Sequence, residues 1–158
     1  MRIFVVSDTH GDTRGFINKV ETMEKPDLII HLGDYVEDGI KIERELKIDT
    51  VIVKGNGDYY REDFSEDRVL FINDKRIFLT HGHKYNVRYG EDNLMYKGQE
   101  VNADIILFGH THVPLFFEEA NMAIMNPGSP SLPRGYSRKR TFGIIEIGEK
   151  TFGQIVEI

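Results

Sequence analysis

The sequence predicts an α/β fold: two stacked β-sheets with helices on their outer faces. Three observations carry this. Through the first half, short apolar runs of strand character alternate with amphipathic helical stretches. After Pro114 the chain turns to β character alone. Run after run of strand character also ends abruptly in Gly, Asp, Asn or His. In open α/β sheets the crevice beyond the carboxyl ends of the strands is where ligands bind.

Taken in order, Ile3–Val6 is a continuous apolar run, as expected of a strand buried on both faces. It ends in Asp8-Thr9-His10, and residues two apart on an extended backbone point to one side. Asp12 or Thr13 can cap a helix reaching about Glu24, whose apolar positions Phe16, Val20 and Met23 share one helical face. The second strand, Leu28–Leu32, ends in Gly33-Asp34. A helix over Glu37–Leu46 follows, and a third strand, Thr50–Val53, ends in Lys54-Gly55-Asn56-Gly57-Asp58. This alternation predicts βαβ units and a largely parallel first sheet.

The polar stretch Tyr59–Asp67 is expected to cross the site as a loop. Arg68–Ile72 and Arg76–Thr80 flank the turn Asn73-Asp74-Lys75 as a hairpin and lead into His81-Gly82-His83. A third helix is expected within Glu91–Asn102. Ile105–Phe108 ends in Gly109-His110-Thr111-His112. Four β segments close the chain: Leu115–Glu118, Ala123–Met125, Thr141–Ile147 and Thr151–Ile158. The loop Asn126–Arg134 contains three prolines and is expected to be rigid.

With 158 residues the chain is expected to form one domain, residues 1–158, with a sizeable core. Hydrophobic content of 40% beside 29% charged residues predicts a soluble globular protein. No apolar run approaches the roughly 20 residues of a membrane span, and the opening residues read as a strand rather than a leader. With no cysteine there is neither a disulfide framework nor a thiolate metal site, and the expected compartment is the cytoplasm. A net charge of −6 argues against gripping long nucleic acid, which needs a basic face. A small phosphorylated substrate stays open, because bound metal ions would invert the local potential.

Five apolar runs thus end in metal-competent residues: Asp8/His10, Asp34, Asn56/Asp58, His81/His83 and His110/His112. Five of the six histidines lie in these turns, which makes the set far more specific than any member. Carboxylate, carboxamide and imidazole without sulfur suit Mn²⁺, Fe²⁺, Ni²⁺ or Zn²⁺. There are more candidate ligands than one ion needs, and two ions sharing a carboxylate is the economical arrangement. His31, inside a strand, reads as a satisfied core histidine. Asp58 reads either as a cap or as a group near the site, and His83 as a substrate contact or a surface turn residue. Tyr59 and Tyr60 read as a stacking wall or as packing under the loop. Arg134, Arg138, Lys139 and Arg140 read as a phosphate-steering cluster or as a solvated loop.

The ordered blocks Asp8-Thr9-His10, Gly33-Asp34, Gly55-Asn56-Gly57-Asp58, His81-Gly82-His83 and Gly109-His110-Thr111-His112 resemble the signature of the calcineurin-like metallophosphoesterases. Chain length, Thr80–His83 and the Asn126-Pro127-Gly128-Ser129 loop resemble the small YfcE-like phosphodiesterase branch. The resemblance implies a four-layer αββα sandwich of two mixed sheets. It implies one ion on Asp8, His10, Asp34 and His112, a second on Asp34, Asn56, His81 and His110, with Asp34 shared. It also implies hydrolysis of small phosphodiesters by a metal-bound water or hydroxide, with Mn²⁺ the leading metal, and homo-oligomerisation. Phosphomonoester hydrolysis is the related alternative. A non-catalytic scaffold, such as the retromer subunit of this fold, is the distant one.

One departure stands out. Many members carry a histidine after the metal-binding asparagine, where it can protonate the leaving group, and the small branch often has cysteine. Here that position is Gly57. Asp58 and His83 are the candidates to stand in. Without a donor the enzyme would favour esters of low-pKa alcohols, which need little protonation on departure.

Overall fold

The computed structural model describes residues 1–158. Its elements run β1 (Arg2–Val6), α1 (Arg14–Glu21), β2 (Leu28–His31), α2 (Val36–Leu46), β3 (Thr50–Ile52), β4 (Asp67–Ile72) and β5 (Lys75–Thr80), then α3 (Asp92–Glu100), β6 (Ile105–Leu107), β7 (Leu115–Glu119), β8 (Met122–Asn126), β9 (Thr141–Ile147) and β10 (Thr151–Glu157). They form two five-stranded sheets, ordered β10-β9-β1-β2-β3 and β4-β5-β6-β8-β7. In the first, β1, β2 and β3 run parallel, β9 runs antiparallel to β1, and β10 runs antiparallel to β9. In the second, β5, β6 and β8 are parallel, with β4 and β7 antiparallel at the edges.

The alternation of side chains along β1 explains the layering. Ile3 and Val5 enter the seam between the sheets, against Ile77, Leu79, Leu107 and Met125. Phe4 and Val6 face the other way, against Phe16 and Val20 of α1 and Ile42 and Leu46 of α2. Both faces are covered, so the strand needs no polar alternate. On the far side, Leu94 of α3 packs with Phe78, Ile106 and Ile124. The result is the four-layer αββα sandwich. Burying a side chain such as Phe4 or Ile3 contributes about 1.5–3 kcal/mol.

Local differences from the sequence reading have simple causes. Helix α1 ends at Glu21 rather than Glu24, because the Thr22 hydroxyl donates back to Lys19 O at 2.8 Å and closes the last turn. Met23 still packs on the core. The β4–β5 turn is two residues, Asn73 and Asp74, both left-handed (φ 47° and 60°), and Lys75 already belongs to β5. Asn and Asp tolerate that region, and two such residues match the twist of a hairpin. The first sheet is parallel only in its β1–β3 half, since the C-terminal strands complete it from the other side of β1.

Candidate metal centre

The carboxyl ends of β1, β2, β5 and β6 meet at one end of the sandwich and bring Asp8, His10, Asp34, His81, His110 and His112 together. Asp8, His10, Asp34, His110 and His112 all sit at positive φ, between 46° and 70°. Left-handed backbone costs a non-glycine residue about 1–2 kcal/mol. Here it turns each side chain back over the strand end.

Close backbone approach needs glycine at two points. A Cβ on Gly55 would run into Asp34 Oδ1 and the Asp34 amide. One on Gly109 would run into the Ser7 hydroxyl.

Asp8 is fully buried. Its Oδ2 accepts from Ser7 Oγ at 2.7 Å and from the His110 amide at 2.9 Å. Its Oδ1 is buried with no hydrogen-bond partner. Three imidazole Nε2 atoms face that oxygen: His112 at 3.2 Å, His81 at 3.9 Å and His10 at 4.0 Å. The His112 contact is close, but not aligned as a hydrogen bond. Asp34 directs its oxygens to different places. Oδ1 accepts from the Gly57 amide at 2.7 Å and lies 3.4 Å from His81 Nε2, while Oδ2 lies 3.8 Å from His10 Nε2.

Two of the histidines, His81 and His112, are oriented through their other nitrogens. His81 Nδ1 donates to Leu32 O and His112 Nδ1 to Leu132 O, both at 2.7 Å. In the neutral rings this leaves Nε2 as a bare lone pair, the form that binds a metal. Each meets a neighbouring imidazole nitrogen at hydrogen-bond distance, His112 Nε2 with His10 Nε2 at 3.3 Å and His81 Nε2 with His110 Nδ1 at 3.2 Å. Two groups, Asp8/His10/His112 and Asp8/Asp34/His81, have ligand atoms within 4.8 Å of one another. An orphaned buried carboxylate oxygen beside inward-facing imidazole nitrogens fits divalent cations.

Protonation follows the same geometry. Burial opposes ionisation of Asp8, but contact with His112 and the charge of His81 outweigh it and hold its pKa down at about 2. Burial, then the charge of His81, lowers His110 to about 4. Burial also lowers His10. For His112 burial works downward too, but the Asp8 carboxylate overrides it and raises the pKa above 6.5.

The other sequence candidates lie around this core. Asn56 is exposed, one residue before the amide that holds Asp34. Asp58 is buried and its carboxylate is occupied by the backbone: Oδ1 accepts from Tyr35 and Val36 amides at 2.9 and 2.8 Å, and Oδ2 from the Gly55 amide at 2.8 Å. His83 is partly exposed, its ring centroid 5.6 Å from that of His81 and 6.1 Å from that of His110, with Glu66 Oε1 at 3.8 Å from Nε2. Tyr59 and Tyr60 are exposed and pack edge-to-face on each other at 4.8 Å, not under the loop. Lys139 pairs with Glu157.

Residues 1–150 match the profile of the calcineurin-like phosphoesterase superfamily domain. The chain belongs to this superfamily. It is 36% identical over 138 residues to a probable metallophosphoesterase of Methanothermobacter thermautotrophicus, covering 85% of this chain and 80% of the relative. It is 28% identical over 173 aligned positions to Phosphodiesterase MJ0936 of Methanocaldococcus jannaschii, covering 99% of both. Its fold is similar to that of a predicted phosphoesterase from Streptococcus pneumoniae, with TM-score 0.84, 31% identity, and coverage of 99% of this chain and 88% of that one.

Within this calcineurin-like framework, several supporting residues escape a sequence reading. Ser129 Oγ and Ser131 Oγ donate to Asp8 O at 2.8 and 3.2 Å, fixing the first turn from the proline-rich loop. Asn126 Nδ2 donates to Gly109 O at 2.8 Å. Asp38 accepts the Gly11 amide at 2.7 Å. His31 accepts the Gly33 amide on Nδ1 at 3.2 Å and meets Thr9 Oγ1 through Nε2 at 3.0 Å, tying the first two turns together. Only a polar residue inside an apolar strand, as His31 is, carries a signal for such a role.

Proposed function

We propose that the chain is a metal-dependent phosphodiesterase acting on small phosphodiesters at a two-ion site. The observation that carries this is Asp8 Oδ1, a buried carboxylate oxygen with no donor, faced by three imidazole nitrogens within 4.0 Å. An uncompensated buried charge costs several kcal/mol, and a divalent cation removes that cost.

Asp8, His10, Asp34 and His112 would hold one ion, and Asp34, Asn56, His81 and His110 the other. Asp8 Oδ1 lies within 4 Å of imidazoles on both sides, but its Oδ2 is occupied by Ser7 and the His110 amide. Asp34, whose oxygens face different imidazoles, would be the shared ligand. When bound, the ions (Mn²⁺ foremost, with Ni²⁺, Fe²⁺ or Zn²⁺ as substitutes) supply an acidified water nucleophile and neutralise phosphoryl oxygens.

The chain's own residues hold that arrangement. His81 and His112 are aimed by the backbone carbonyls on Nδ1, and Asp34 is aimed by the Gly57 amide. Asp58 acts as a positioning residue, because three backbone amides occupy its carboxylate. Gly57 offers no side-chain proton, so the leaving alcohol departs with His83, whose ring lies 5.6 Å from that of His81, as the candidate donor or with none. Esters of acidic alcohols are favoured accordingly.

The test is to strip metal, restore Mn²⁺, and follow hydrolysis of bis-p-nitrophenyl phosphate beside p-nitrophenyl phosphate. Faster turnover of the diester is expected. Faster turnover of the monoester would make it a phosphomonoesterase. No turnover with Mn²⁺, Ni²⁺, Fe²⁺ or Zn²⁺ would leave the scaffold reading.

A further inference from the structure

Beside the metal-ligand turns lies a cleft of about 550 Å³, a size typical of small-molecule sites. Thr111, which lines it, sits between His110 and His112, so the cleft opens alongside the candidate centre. Val87, Val113 and Leu115 supply apolar surface. Arg88 and Arg134 stand at its sides, both exposed. Arg134 is fixed next to the site, since its amide donates to His112 O at 3.1 Å. Like Arg44, Arg68, Arg138 and Arg140, neither Arg88 nor Arg134 forms an ion pair, unlike Arg2, Arg14 and Arg61. Glu91 is the one acidic residue of the lining, so the cleft carries a net positive charge in a chain of net charge −6.

An apolar cleft beside a candidate metal centre, lined by two guanidinium groups, matches a particular ligand chemistry. Guanidinium groups bind phosphate and carboxylate through paired N–H donors, and a ring or short carbon frame fits between. We propose that this cleft receives the part of the substrate beyond the scissile phosphate, and that it selects phosphodiesters whose ester group carries an apolar ring and a second anionic group, as a phosphorylated nucleoside does. The substrate role rests on the phosphodiesterase reading; the anion selectivity of the cleft is measured separately.

Titrate the Mn²⁺-loaded protein by calorimetry with adenosine 3′,5′-bisphosphate and with adenosine 5′-monophosphate. A charge-assisted contact at such a site contributes about a factor of ten or more in affinity. The wild type is expected to bind the bisphosphate at least about tenfold more tightly, and Arg88→Gln/Arg134→Gln is expected to cut that ratio to about threefold or less. Equal affinities in the wild type, or a preference unchanged in the variant, would overturn the proposal. Hydrolysis of bis-p-nitrophenyl phosphate separates the two readings. Turnover without a bisphosphate preference refutes the subsite alone. A preference that the variant loses, without turnover, supports the anion-selective cleft and refutes the phosphodiesterase reading and the substrate role with it.

Discussion

Replacing Asp58 with alanine tests how the candidate centre is positioned. The Asp58 carboxylate is 5% exposed and accepts three backbone amides, from Tyr35, Val36 and Gly55, at 2.8–2.9 Å. Two of them belong to the left-handed turn that starts α2, and the third to the strand end that packs on Asp34. A hydrogen bond to a charged group contributes about 1.5–3 kcal/mol, so three would sum to about 5–9 kcal/mol if independent. They share one acceptor, and water can reach the amide of half-exposed Tyr35, which lowers the expected loss for Asp58→Ala to about 3–5 kcal/mol. Asp58→Asn keeps the shape but turns an N–H₂ group toward an amide donor, for a loss of about 2 kcal/mol. Urea unfolding of the metal-free proteins measures both, with unchanged slope expected. Mn²⁺ affinity should fall as well, because the Gly55–Gly57 segment that Asp58 anchors holds Asp34 Oδ1 through the Gly57 amide. A loss below about 1 kcal/mol for Asp58→Ala would refute the positioning role.

Two further predictions concern chemistry and pH. Across aryl phosphodiesters of graded leaving-group pKa, kcat should fall steeply as the alcohol becomes less acidic, because Gly57 supplies no proton; a flat dependence with chemistry rate-limiting would show that a donor is present. His31 is fully buried, and burial lowers its pKa from 6.5 to about 4. Below 6.5 the unfolded chain binds a proton that folded His31 refuses, so its contribution to stability is whole above pH 6.5 and lost as pH falls toward 4, by about 1.4 kcal/mol per unit. In metal-free protein, His31→Gln, which can still accept and donate, should lose less stability than the wild type between those pH values. Parallel pH profiles would contradict this.

The candidate site was legible because its residue types recur at one structural position, the carboxyl end of a strand, although Asp8, His10, His110 and His112 lie beyond the strand ends in left-handed backbone and not on the extended chain that the i, i+2 spacing assumed. The core of the fold was legible for a related reason: continuous apolar runs such as Ile3–Val6 require cover on both faces. What could not be read was long-range. Nothing in Thr141–Ile147 says that it pairs with β1, 140 residues away in sequence, rather than with the second sheet. Asp58 read either as a cap or as a group near the site, and its role stayed open because two of its three amide partners, Tyr35 and Val36, come from another turn, brought to it only by the crossover through α2. Ser129 and Ser131 were silent for the same reason, since the Asp8 carbonyl they bind lies 121 and 123 residues away in sequence. A serine's worth depends entirely on the backbone group it faces.

The central claim, two ions sharing Asp34, is tested most directly by metal content after equilibrium dialysis against Mn²⁺, measured by mass spectrometry of the wild type and of Asp34→Ala. The account predicts about two ions per wild-type chain and fewer than about one in the variant, since each half of the site loses a ligand. One ion or none in the wild type, or full loading of the variant, would contradict it.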